Sequence, residues 1–426
     1  MRSDRARRAL LILATSLLAA GLCAQAGIPL RDLPALAKVR AERQRPAQMA
    51  ALEPFLTDLK TDYRRNSEVL DKTIDKVVAL GDAVFPVLVE QLTPSDGDSH
   101  SRFLADNSAR VLAKLDPKAH VAIWSELAEG EHGIGRRLGI RLLGASGDPQ
   151  AASTLARVFP KLADADERLA ALDAAEEIGT PALAPLVVPM LQASDPDLRR
   201  RALQHLTRNQ WSEAVPVALK SLSNERENAL LGDYIALFAA TVHGDAQIAE
   251  ALTPLLDSVR LDPGDAEKLV TALATIAPQD HKPTEKALLQ LLDAGQIGPL
   301  GVRAALTLQA LGEKRGKKIL FDWLDKNVVK DRADANRYAA RAEASLAFDQ
   351  AQAAIRDFED AIKYTRSNNW QQYYSFQIAR CEAHRGNLKS MQKALRESQY
   401  SNEKILKEAA GDPRFLEQLE KAGIHR

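Results

Sequence analysis

The sequence predicts an all-α fold of stacked antiparallel helix pairs, an α–α solenoid. Apolar residues recur with the helical period from about Leu52 onward, and no strand-like run interrupts them. The helical stretches break at Gly or Asp-Pro at intervals of roughly 30–35 residues, the sign of a repeated helical unit. Hydrophobic residues make up 46% of the 426, charged residues 27% and aromatics only 5%. That balance excludes a disordered chain, a collagen and a polytopic membrane protein.

The first 26 residues read as a secretory signal. Arg2, Arg5, Arg7 and Arg8 form a basic region, residues 9–22 an apolar run, and Ala24-Gln25-Ala26 a small-x-small site. Cleavage is expected between Ala26 and Gly27. The apolar run is short for a membrane span. Leu22 stands where a bacterial lipobox needs a small residue, so no lipid is expected on Cys23. The expected location is the periplasm or the outside of the cell. Cleavage leaves 53 basic and 56 acidic groups, net −3. It also leaves Cys381 as the only cysteine, so no internal disulfide can form. Residues 27–66, broken by Pro34, Pro46 and Pro54, are expected to cap the array.

Repeats follow over 67–330. The breaks fall near Gly81, Asp116-Pro117, Gly147-Asp148-Pro149, Gly179-Thr180-Pro181, Asn209, Gly244-Asp245, Pro278 and Gly312. One unit shows the logic. Over 180–192, Pro181 suits a first helical turn, and Leu183, Leu186, Val187 and Leu191 share a face. Asp195 can then cap a helix opening with Pro196, whose stripe is Leu198, Ala202, Leu203 and Leu206. Neither helix buries its stripe alone, and stacking joins the stripes into one core.

The run Asp195-Pro196-Asp197-Leu198-Arg199 resembles the first helix of a HEAT repeat. Leu80-Gly81 with Pro86 and Leu92, and Ile178-Gly179 with Pro185 and Leu191, resemble its turn and second helix. About eight such pairs, of armadillo type, cover roughly 60% of the chain. From 331 to 426 the character changes. Ala342, Ala354, Phe358 and Ala361 resemble a TPR, as do Ala379, Gly386-Asn387 and Leu395. Arg341 and Met391 depart from that pattern, and neither unit has a terminal Pro. Residues 402–421, with Asp412-Pro413-Arg414-Phe415, should close the stack.

The resemblance implies a right-handed superhelix whose concave face binds another protein. By the TPR spacing, Asn336, Glu343, Tyr373, Phe376 and Arg380 would face that groove. Trp370, Tyr373, Tyr374 and Phe376 form the densest aromatic cluster, and aromatics with Arg are common interface anchors. The alternative is packing between repeats, and for Phe376 both stay open. Packing is also the expectation for Trp124, Trp211 and Trp323.

Little points to chemistry. His100, His120, His132, His205, His243, His281, His384 and His425 show no tight metal-ligand spacing. Asp96-Gly97-Asp98 begins like a calcium loop, but Ser101 and Asn107 stand where its Gly and Glu belong, so 94–101 is expected to be a plain loop. Gly312 and Gly316 are one residue too close for a phosphate loop, and Lys318 replaces its hydroxyl. Net charge −3 and export argue against nucleic acid, despite Arg136, Arg137, Arg199, Arg200 and Arg201. The expectation is an exported, non-catalytic scaffold that binds a protein, with no cofactor, metal or catalytic residue. The alternative is an enzyme, or a polymer- or glycan-binding protein of the cell envelope, on the same scaffold.

Overall fold

The computed structural model describes residues 30, 33–36, 45–92, 98–131, 133–257 and 260–425. The expected signal with Cys23, Ala26 and Gly27, His132, residues 94–97 and much of 27–44 lie outside them. Among the described residues there are 24 α-helices, linked by short 3-10 turns, and no strand. The all-α expectation therefore holds. No helix among them is long and apolar enough to cross a membrane.

Two compact units divide at Val217/Ala218. The first opens with α1 (Arg45–Leu52) and α2 (Leu56–Leu59). Helix pairs follow: α3 (Tyr63–Ala79) with α4 (Phe85–Glu90), α5 (Ser99–Leu112) with α6 (Val121–Glu129), and α7 (Gly133–Ser146) with α8 (Pro149–Val158). Next come α9 (Ala165–Ile178) with α10 (Ala184–Val187), and α11 (Pro196–Arg208); α12 (Val215–Asn224) runs across the boundary. First helices pack on first helices, α3 through α11, and α6 packs on α8.

The caps explain the boundaries. Asp148 and Asp195 each stand before a proline and accept the backbone N–H two residues on, at 2.8 and 2.9 Å. Each such cap contributes about 1 kcal/mol. Arg136, Arg168 and Arg199 each reach back six residues to a carbonyl of the preceding turn, on Gly130, Leu162 and Ala193. Those carbonyls would otherwise lack a donor. Arg200 and Arg201 pair with Asp197 and Asp173.

One helix departs from expectation. Residues 181–192 form a 3-10 turn, the four-residue α10 and another 3-10 turn. Pro185 and Pro189 lack the N–H that a continuous α-helix needs. Three of the four expected stripe residues, Leu183, Val187 and Leu191, are buried, and Leu186 is only partly so. Two glycines allow backbones to meet. A Cβ on Gly139 would lie 2.6 Å from the Trp124 carbonyl, and one on Gly144 would lie 2.6 Å from the Ala174 Cα.

The second unit continues with α13 (Leu231–Thr241) and α14 (Ala246–Leu252), α15 (Pro263–Ile276) and α16 (Lys282–Asp293), and α17 (Pro299–Ala310) and α18 (Arg315–Lys330). It ends with α19 (Ala335–Ala347) and α20 (Ala351–Tyr364), α21 (Asn368–His384) and α22 (Leu388–Ser398), and α23 (Asn402–Ala409) and α24 (Pro413–Lys421). Helices α13, α15 and α17 pack in sequence, as do α14, α16 and α18. One core cluster gathers Tyr338, Ala342, Phe358, Tyr374 and Cys381, and another gathers Phe376, Met391, Leu395 and Phe415.

All but one of the breaks resolve into one backbone feature; the exception is Asp116-Pro117, where Asp116 has φ −63°. Gly147, Gly179, Gln210, Gly244, Asp280, Gly312, Asp349 and Gly386 all have positive φ. They follow the first helix of successive pairs at spacings of 31 to 37 residues. A left-handed residue ends a helix and turns the chain, and glycine adopts it without a steric penalty.

Candidate functional site

The last three pairs carry side-chain bonds between helices that are distant in sequence. Tyr373 on α21 donates its hydroxyl to Glu343 Oε1 on α19 at 3.1 Å. Farther along α21, Arg380 Nε donates to Asp412 Oδ2 at 2.5 Å, and His384 Nε2 lies 2.8 Å from the same oxygen. Asp412 also caps α24, accepting the Phe415 N–H at 3.1 Å through Oδ1. One carboxylate thus holds two cationic or hydrogen-bonding side chains of α21 and begins the closing helix.

The electrostatics follow from this geometry. Burial alone would raise the Asp412 carboxyl, but its bonds to Arg380, His384 and the Phe415 amide hold it below the usual carboxylate range. Glu343 moves the opposite way. Surrounding protein pushes its carboxyl up, and the Tyr373 hydroxyl and the Arg380 charge only partly offset this. Its surface nonetheless stays open to solvent. The Tyr373 phenol is raised by burial and by Glu343, so its hydroxyl remains a donor.

Trp370 flanks this bridge with 50% of its surface exposed. It meets Tyr373 edge-on at 5.6 Å and stacks on Tyr374 at 5.8 Å. Burying the rest of the indole in this way leaves one aromatic surface facing water. Large aromatics with a free face are the side chains that anchor interfaces.

The structure brings together Glu343, Tyr373 and Arg380 among the residues expected at a groove. Asn336 is exposed in the first turn of α19, its N–H bonded to Asp334, two turns before Glu343. Phe376 belongs elsewhere. It is 3% exposed, stacked on Tyr400 and tilted against Phe415, so it fills core and does not face the groove. Arg341, the departure from the TPR pattern, binds both oxygens of Asp357 at 2.9 and 2.7 Å and Asp325 at 2.8 Å. It ties α18, α19 and α20 together where an apolar residue would only pack.

Sequence reasoning missed Asp412 and His384. Asp412 reads in sequence as a helix start, and His384 as one more scattered histidine. A shallow groove of about 400 Å³ was also missed; Leu395, Tyr400, Ile405 and Ile424 line it, with Gln392, Arg396, Gln399 and Asn402. Of the tryptophans, Trp124 is fully buried, its indole N–H bonded to the Pro117 carbonyl at 3.0 Å. Trp211 precedes a 3-10 turn, and Trp323 on α18 is 39% exposed.

Among the described residues, no three His, Cys, Asp or Glu side chains gather to hold a metal ion. Cys381 is buried, and burial pushes its thiol up to about 12, leaving little thiolate at neutral pH. No protein-family model matches the chain, and no curated protein matches it.

Proposed function

We infer that the chain is an exported, non-catalytic scaffold of HEAT-like and TPR-like pairs, wound as a right-handed superhelix. It binds another protein through the face shared by α19 and α21. The single observation carrying this reading is the Glu343–Tyr373 bridge beside the half-exposed Trp370. It combines a solvent-open carboxylate with an open aromatic surface. Helical arrays present such faces for extended contact with partners. The arrangement offers binding surface, and the Cys381 thiol on α21 is buried.

Crosslinking the tagged full-length chain in its own cells tests the reading. One dominant partner protein, lost in Tyr373→Ala and retained in Trp323→Ala, is the expected result. No specific partner in either form rejects the scaffold and turns attention to glycan ligands. Arg380 is a poor probe on its own, because removing it also frees the buried Asp412.

A further inference from the structure

The aromatic corner at the start of α21 differs from four other solvent-reaching tyrosine and tryptophan rings. Tyr63, Trp323, Tyr364 and Tyr400 each lie close to a cation of the same chain. Arg110, Lys326, Lys363 and Lys404 sit 3.9, 5.7, 5.1 and 3.5 Å from those ring centres. Among the described residues, Trp370, Tyr373 and Tyr374 have no such cation and pack on one another.

Negative charge gathers beside them instead. Glu343 accepts from Tyr373, and the charges of Glu343 and Asp334 both act on Tyr374. The positive group acting on Tyr373 and Glu343 is Arg380, whose Nε is committed to Asp412. An aromatic face carries a negative quadrupole, and a neighbouring carboxylate adds to its pull on a cation. An ammonium or guanidinium there would gain a charge-assisted partner as well. It would also favour ionisation of Glu343, which burial now opposes.

We propose that the corner formed by Trp370, Tyr373 and Glu343 takes a lysine or arginine side chain from an extended segment of the partner protein. This rests on the scaffold reading and specifies the chemistry its face selects. Arg380 and Asp412 act as positioning residues: they fix α21 against α24.

Random short peptides displayed on phage, selected against the full chain, provide the test. Enriched peptides are expected to carry Lys or Arg. The affinity of a selected peptide should weaken about 3- to 30-fold in Trp370→Ala, the range of a partly desolvated cation–π contact. Glu343→Gln should weaken it as well. Trp370→Phe, which keeps an aromatic face, should recover much of the loss, and Trp323→Ala should leave it within about twofold. Replacing the peptide's Lys by norleucine should reproduce the Trp370→Ala effect. Circular dichroism confirms that each variant keeps its helices. Peptides that bind but show no basic enrichment, or basic peptides indifferent to Trp370→Ala, overturn the cation site and leave the scaffold standing. No enriched peptide at all overturns both.

Discussion

The helix pairs around Gly139 and Gly144 and those around Tyr373 solve the same packing problem in opposite ways. In the first unit, backbones meet so closely that a methyl group on either glycine would strike its neighbour. Between α19 and α21, the span is crossed by the full lengths of a tyrosine and a glutamate. Close backbones bury everything between them and leave no room for a ligand. Helices joined through long polar side chains leave an accessible face. The contrast separates stability from recognition within one kind of architecture.

The strongest test of that contrast removes a core aromatic from the first unit. Trp124→Ala should lower stability by about 3–5 kcal/mol, because Trp124 is fully buried, hydrogen-bonded and packed edge-on against Phe85. Urea unfolding measures it. A loss as small as that of a surface change would break the comparison.

Acid should also find the first unit first. His205 is fully buried, its Nδ1 has no partner, and burial with the Arg208 charge lowers its pKa to about 4. The unfolded chain binds that proton near pH 6.5, so stability is intact above pH 6.5 and falls as pH drops toward 4. The loss should reach about 3 kcal/mol and then level off. Unfolding followed against pH in the wild type and in His205→Gln checks this, because the variant should lack that slope.

A smaller effect belongs to the second unit. Asp412→Ala removes a helix cap and the carboxylate held by Arg380 and His384. With the Arg380 side chain 39% exposed and able to rehydrate, the loss should be about 2 kcal/mol. Because the folded Asp412 carboxyl lies below its unfolded value, its contribution is present at neutral pH. It disappears as pH falls below the unfolded value, near 4, and through the folded one. Acid titration of the variant should lack that component.

The smallest effect is the most local. Tyr373→Phe should cost about 0.5–1 kcal/mol, the worth of one hydroxyl donor. Without that donor the Glu343 carboxyl should rise further, which carbon-detected NMR of its side chain would report. An unchanged Glu343 titration would place the bridge outside the working geometry of this face.

Turn chemistry made the architecture legible. Glycines at 81, 147, 179, 244 and 312 mark the breaks, and each adopts the left-handed backbone. Where the left-handed residue is Gln210 or Asp280, the sequence offers no such mark. The breaks were therefore placed at Asn209 and Pro278, one and two residues early. The capping Asp148 and Asp195 were equally plain because proline follows each. The site was half legible. The TPR resemblance grouped Glu343, Tyr373 and Arg380, and helical period alone relates only Tyr373 and Arg380, which share α21. It failed for Phe376, whose burial depends on α24 closing over it through Phe415. It also could not see Asp412, whose partners lie 28 and 32 residues away.

From Gly147 to Gly386, the recurrence of a left-handed hinge every 31 to 37 residues has a consequence for how such a chain can change length. Each residue added to or cut from a helix turns its apolar stripe by about 100°. Small insertions within a helix therefore expose what was buried. Excision from behind Gly147 through Gly179 instead rejoins one hinge to the segment that follows another, and the stripes keep their register. Growth and shrinkage are thus quantised in whole modules, with the hinge residues as the natural joints.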